Sequence, residues 1–314
     1  MQSAASLFQP FFFQASGAPG ATAPNQKISL RGARFEADPG VAPRGVCVLL
    51  NGQTEFIEKY FEVIDELRGR GFAVATMDWR GQGGSERALK DDSRKGYVKD
   101  FAEYDDDLAA FMEQMVAPMG REKPFAVAHS MGGHILLRTL VKQPDAFARA
   151  VLTAPMIAIS FRGYAAWLVH MVTRIESWRG NGGGWVWGME ARDPHAMTFA
   201  SQMVTSDQTR FDRTQAILRT HPQLRLAGAT WTWLGAALRS MAWLKTRGPC
   251  ITTPLLVIGA GADRIVVTAE TKAFAARLPH ARYVEIAGAG HEMLMERDVF
   301  RAQWWRAFDA FMSS

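Results

Sequence analysis

Short apolar runs alternate with helix-period segments along most of the chain, and that rhythm leaves few architectures open. "GVCVLL", "FAVATMD", "PFAVAHS", "RAVLTAP", "PLLVIGA" and "RYVEIAG" each read as a short buried strand. Helical patterns lie between them. "FIEKYFEVIDELRGRG" puts Ile57, Tyr60, Phe61, Ile64 and Leu67 on one face, with Gly71 as the stop. "DFAEYDDDLAAFMEQMV" does the same with Phe101, Tyr104, Leu108, Phe111, Met112 and Met115. "GGHILLRTLVKQ" is a helix that ends before Pro144. Strands that alternate with helices predict a mostly parallel sheet with helices on both faces.

The rhythm breaks after Pro155 and resumes near residue 249. Residues 156–248 show no strand alternation and hold seven of the ten tryptophans. They are expected to form a helical cap inserted into a core made of 27–155 and 249–314. Residues 1–26, rich in Ala, Gly, Pro, Ser and Phe, are expected to be a flexible arm anchored by Phe11, Phe12 and Phe13. "MQSAASLFQPFFFQ" lacks a positive leading region and a long apolar stretch, so no secretory signal is expected. No apolar run is long enough to span a bilayer. Cys47 and Cys250 are too few for a disulfide framework, which favours two reduced thiols and the cytoplasm.

One segment joins this architecture to chemistry. "AVAHSMGGH", residues 126–134, sets Ser130 at the end of a strand and the start of a helix. An alcohol nucleophile needs that exposed, tight turn, with small residues two before and two after it. Those positions are Ala128 and Gly132, and Gly133 lets the helix approach the sheet. Alanine adds one methyl group and is tolerated where the backbone angle suits an L-residue. The competing reading of Ser130 is a plain helix cap.

A serine also needs a base, and the base needs an orienting acid. Of seven histidines, His291 immediately follows the last strand, in the glycine-rich "AGAGHE". His129 adjoins Ser130 and is expected to point away from it, as neighbours on a strand do. His134 lies in the next helix, His170, His195 and His221 in the insertion, and His280 before the last strand. "LLVIGAGADRIV" supplies Asp263 after the preceding strand, although an aspartate there also suits a turn. The oxyanion formed during attack needs two backbone N–H donors. Met131 and Gln53, the latter in "LLNGQTEF", are the candidates, with Asn51 and Gly52 shaping the loop.

In this order, "LLNGQTEFIEKY", "MDWRGQGGSER", "GYVKDFAEYDDDLAAF", "AHSMGGH", "GAGADRIV" and "GAGHE" resemble the bacterial lysophospholipases and monoacylglycerol lipases of the α/β-hydrolase superfamily, a serine aminopeptidase S33-like family. The resemblance covers residues 45–155 and 250–295 well and the insertion loosely. It implies the α/β-hydrolase fold, Ser130 as nucleophile, Asp263 and His291 as its partners, and Gln53 and Met131 as oxyanion donors. Two positions depart from the pattern. Asn51-Gly52 replaces the common His-Gly, and Ala128 replaces the first glycine of the elbow. Glu55 matches an acidic residue of monoacylglycerol lipases and either contacts a glycerol headgroup or begins a helix. Asn51 is a second candidate substrate contact. "DWRGQGGS", residues 78–85, reads as turn packing.

The expected activity is acyl-ester hydrolysis of single-chain lipids, without metal or organic cofactor. A general esterase, an aminopeptidase and an acyltransferase are the enzymatic alternatives, and a non-catalytic binding protein is the other. The net charge of +5 has no lysine-rich block behind it, and no nucleic-acid partner is expected. Residues 156–248 carry eleven Lys and Arg against five Asp and Glu, so the positive surplus lies in the insertion. A basic, aromatic insertion suits peripheral contact with anionic lipid or a phosphate-bearing headgroup, although solvated helix faces also account for it. The sequence leaves the oligomeric state open.

Overall fold

The computed structural model describes residues 2–17, 27–161, 163–189 and 197–313. Its centre is an eight-stranded sheet. The strands are β1 (Phe11–Ser16), β2 (Lys27–Phe35), β3 (Val46–Leu50), β4 (Ala73–Met77), β6 (Phe125–His129), β7 (Arg149–Thr153), β9 (Leu255–Ala260) and β10 (Ala281–Ile286). They run in the order β1-β2-β4-β3-β6-β7-β9-β10. From β4 to β10 every pairing is parallel, and β2 joins β4 antiparallel. All residues of β3 and β9 are buried. Successive side chains point to opposite faces, so burial at every position means that both faces are covered.

Helices cover them: α2 (Phe61–Arg68), α3 (Ala102–Phe111), α4 (Ser130–Lys142), α8 (Thr268–Ala275) and α9 (Asp298–Met312). The helix expected over 100–116 changes pitch at Met112, where the chain widens into a π-turn through Val116. That phase shift buries both Met115 and Val116. The segment from Ile57 to Tyr60 is a tight 3₁₀ turn rather than the first turn of α2.

The N-terminal segment departs from the expected free arm. A short helix, α1 (Ala4–Leu7), precedes β1, and β1 pairs antiparallel with β2 from Phe11↔Gly32 to Ser16↔Lys27. Phe13 is buried and tilts against Phe111, while Phe11 and Phe12 are exposed. Alternation turns Phe12 away from the Phe13 face, whereas Phe11, on the Phe13 face but at the first position of the strand, is covered only in part, with Arg34 over its ring. Residues 18–26 of the expected arm lie outside the described residues.

Between β7 and β9 the described residues add no strand to the main sheet. It forms α5 (Ala166–Trp178), α6 (Gln208–Thr220) and α7 (Trp231–Arg247). Two residues there, β8 (Gly228–Ala229), pair with β5 (Lys95–Gly96) and tie the insertion to the first half of the core. Thr230 caps α7 and also donates to the Gly96 carbonyl at 2.8 Å.

Candidate active site

Ser130 begins α4 directly after β6, with φ of 49°. A non-glycine residue at positive φ is strained, and the surroundings must hold it there. They do so by close approach. A methyl group on Gly132 would lie 2.5 Å from the Asn51 carbonyl oxygen and 2.8 Å from that of Leu50. On Gly133 it would meet Pro155 at 3.1 Å. Ala128, by contrast, sits in regular sheet register opposite Leu50 and Leu152 and has no positive φ. Its methyl group is buried at no backbone cost, so the missing glycine leaves the elbow intact.

The sheet order brings the three polar residues together. Nε2 of His291 is 2.9 Å from Oγ of Ser130, and Nδ1 of His291 is 2.7 Å from Oδ2 of Asp263. A carboxylate accepts, so Nδ1 carries the proton and Nε2 is free to accept from the serine hydroxyl. The other oxygen of Asp263 accepts from the N–H groups of Ile265 (2.8 Å) and Val266 (3.0 Å). Burial by itself would raise the Asp263 pKa. The bond and charge of His291, with the two N–H donors, outweigh it and hold the carboxyl below its ordinary value.

The two predicted oxyanion donors line the same cavity as Ser130. Met131 lies in the first turn of α4, where an N–H has no intrahelical acceptor. Gln53 lies on the loop after β3, and among the described residues its N–H has no acceptor. The loop is held from below. Gln82 donates through Nε2 to the Gly52 carbonyl at 2.7 Å, and Trp79 donates to the Asn51 carbonyl at 2.9 Å. Asp78 accepts from Ile57 N–H and Gly84 N–H. The "DWRGQGGS" turn therefore packs beneath this loop.

The two candidate substrate contacts are placed differently: Glu55 lines the cavity on Ser130 and Asn51 does not. The Asn51 side chain is buried, donates to the Met77 carbonyl at 3.0 Å and does not line the cavity. An amide that closes the gap between adjacent strand ends is not free to meet a ligand. Glu55 is fully buried and precedes the helical turn without beginning it. Its carboxylate accepts from Gly52 N–H at 2.5 Å, Tyr60 Oη at 2.7 Å and Lys59 Nζ at 2.8 Å. Burial opposes its ionisation, but Lys59 and these donors hold it down at about 2.

His129 is the residue that sequence reasoning placed out of the way. It makes no bond to Ser130, but its ring lies 4.8 Å from that of His291 and lines the same cavity. Its Nδ1 donates to the Thr153 carbonyl at 3.2 Å. Burial pushes this imidazole down to about 4, so it stays neutral beside the base. His134 is buried against Ser240 at 2.7 Å, and His195 lies outside the described residues.

A cavity of about 330 Å³ opens on Ser130 and His291. Its wall is mostly apolar: Phe56 and Met295 from the core, and Met156, Met189, Phe211, Leu218 and Trp233 from the insertion. Such a wall suits an alkyl chain.

A strained serine at a strand-to-helix turn, a histidine after the last strand and an aspartate after the strand before it define an α/β-hydrolase. The family model for serine aminopeptidase, S33, matches residues 41–298, and the chain belongs to that family. Lysophospholipase L2 of Escherichia coli is 32% identical over 264 residues, which cover 82% of this chain and 77% of that protein. A probable lysophospholipase L2 of Haemophilus influenzae is 28% identical over 280 residues, covering 89% and 87%. The fold is also that of a solved Saccharomyces cerevisiae monoglyceride lipase in a soluble variant form (TM-score 0.71, 17% identity, 98% of this chain and 96% of that one).

Proposed function

We propose that this protein is a serine hydrolase that cleaves the carboxylic ester of a single-chain lipid, a lysophospholipid or a monoacylglycerol. The observation that carries the reading is the hydrogen-bonded line from Ser130 through His291 to Asp263. Ser130 Oγ attacks the ester carbonyl while His291 Nε2 takes its proton. Asp263 holds the ring and balances the imidazolium. The N–H groups of Gln53 and Met131 receive the oxyanion, each contributing about 3–4 kcal/mol to the transition state. His291 then returns the proton to the leaving alcohol, which leaves an acyl-Ser130. Water enters by the same route and releases the fatty acid.

The apolar cavity supports an acyl chain as the bound part, and the named relatives support the lipid class. We assign residues 156–248 as a cap over the cores 27–155 and 249–314, because their side chains form one wall of that cavity. An aminopeptidase would need a free carboxylate for the substrate amine. The two glutamates of the lining, Glu55 and Glu292, both pair with Lys59.

Helix α5 supports peripheral contact with a membrane. Trp167, Met171, Ile175 and Trp178 recur at helical spacing and are 68%, 44%, 41% and 87% exposed. An outward apolar stripe on a basic segment fits an anionic lipid surface. No helix of the described residues is long and apolar enough to cross a membrane. Both cysteines are free thiols, which fits a reducing compartment.

The reading is tested by labelling with a fluorophosphonate and by turnover on lysophospholipid, monoacylglycerol, short-ester and aminoacyl-amide substrates. Labelling and lipid-ester turnover are expected for the parent. Ser130→Ala should lose both, with kcat lower by about 10⁴-fold or more. A Ser130→Ala protein that still turns over at the parent rate would overturn the reading.

A further inference from the structure

The loop that carries Gln53 leaves the end of β3, and the loop that carries His291 leaves the end of β10. Three strands, β6, β7 and β9, lie between them, so no sheet hydrogen bond fixes one loop against the other. One buried side chain spans the gap. Lys59 places its ammonium 2.8 Å from Oε1 of Glu55 and 2.6 Å from Oε1 of Glu292. At 6%, 2% and 14% side-chain exposure, the three are shielded from water. Each carboxylate is wired to a reacting element. Glu55 grips the N–H of Gly52, the residue before Gln53. Glu292 directly follows His291, and its own N–H is anchored on the Val204 carbonyl at 2.8 Å.

We propose that Lys59 is a positioning residue whose ammonium, clamped between Glu55 and Glu292, sets the oxyanion loop relative to the His291 loop. This rests on the hydrolase reading above. The physics favours a strut over a simple ion pair. Two carboxylates converge on one cation from two loops, so neither can move away without giving up its ion pair in a poorly hydrated site. Removing the cation removes the shared partner of the two carboxylates, which cannot both stay ionised side by side, and the tie between the two loops goes with it. A displacement of about 1 Å at reacting atoms costs about a hundredfold in rate. Lys59 itself makes no bond to Ser130 or His291, so its effect falls on turnover and not on the apolar contacts that hold the acyl chain.

The test compares the parent with Lys59→Met, Lys59→Arg and Glu292→Ala on a soluble short ester and a fluorophosphonate. Circular dichroism and melting curves establish the folded fraction. Lys59→Met is expected to lower kcat and the labelling rate by about a hundredfold with KM within about threefold, and Lys59→Arg to recover most of that loss. Glu292→Ala leaves the Lys59–Glu55 pair in place and cuts the link to His291, so it decides the matter if Lys59→Met does not fold. It is expected to slow turnover about tenfold or more. Variants that melt earlier but keep parental kcat per folded molecule would make Lys59 a structural ion pair and overturn the proposal. A parent that neither labels nor turns over would instead sink the hydrolase reading.

Discussion

The Ser130 hydroxyl lies 2.9 Å from Nε2 of His291, although 161 positions separate the two residues in the chain. The contact exists because β6 and β10 run parallel and end on the same side of the sheet. Residues that follow parallel strands converge at one edge, where a nucleophile, a base and an acid from three loops can meet.

Asp263 should matter through charge and through tautomer. With Asn in its place, an amide N–H faces Nδ1 and favours the tautomer with the proton on Nε2. The ring then cannot accept from Ser130. Asp263→Asn is expected to lower kcat by about 10⁴-fold with little change in KM. Steady-state kinetics on a soluble ester, with melting curves to verify the fold, checks this. Loss of less than about tenfold would remove Asp263 from the assigned role.

The two small positions of the elbow should respond unequally. Gly132→Ala drives a methyl group to 2.5 Å from a carbonyl oxygen that belongs to the oxyanion loop. It is expected to destabilise the protein by about 1–3 kcal/mol and to slow turnover as the loop shifts. Ala128→Gly relieves no strain and should cost about 1 kcal/mol or less with activity retained. Urea unfolding and kcat, measured side by side, separate the two cases.

Acid should act on the core through His134. Burial, then the nearby Arg138, pushes this imidazole down to about 3, below the ordinary value of 6.5. Between those values the unfolded chain takes up a proton that the folded chain refuses. The unfolded state binds more protons there, so stability rises with pH across this window and falls as pH drops. His134→Gln removes that one contribution. The stability difference between parent and variant, read from urea unfolding at several pH values, should move against the parent as pH falls from 6.5 towards 4. A constant difference would show that His134 takes up its proton in the folded state as readily as in the unfolded one.

The stripe on α5 should govern surfaces and not chemistry. Trp167→Ser with Trp178→Ser removes the two most exposed side chains of that helix face. Binding to anionic phospholipid vesicles, followed by sedimentation, is expected to weaken at least about tenfold. Turnover of a soluble short ester should stay within about twofold, since no residue of the stripe lines the cavity on Ser130. Equal loss on both would remove the membrane reading.

By itself the sequence determined what depends on near neighbours. Strand and helix periods are written within a few residues, so the alternating core was legible in it. So was the elbow, because Ser130 and its small neighbours stand together in one short stretch, although the groups that require Gly132 and Gly133, the Asn51 and Leu50 carbonyls and Pro155, come from other segments. The order of Ser130, Asp263 and His291, each just after a strand of the core, followed from the same rhythm. Tertiary structure alone decided how distant groups share a space. It paired β1 with β2, turned Asn51 into the core, set His129 beside His291 and hung two loops on Lys59. The physical reason is range. Backbone preferences act over a few residues, whereas burial and ion pairing act between whatever the sheet order brings into contact, and no local pattern records that order.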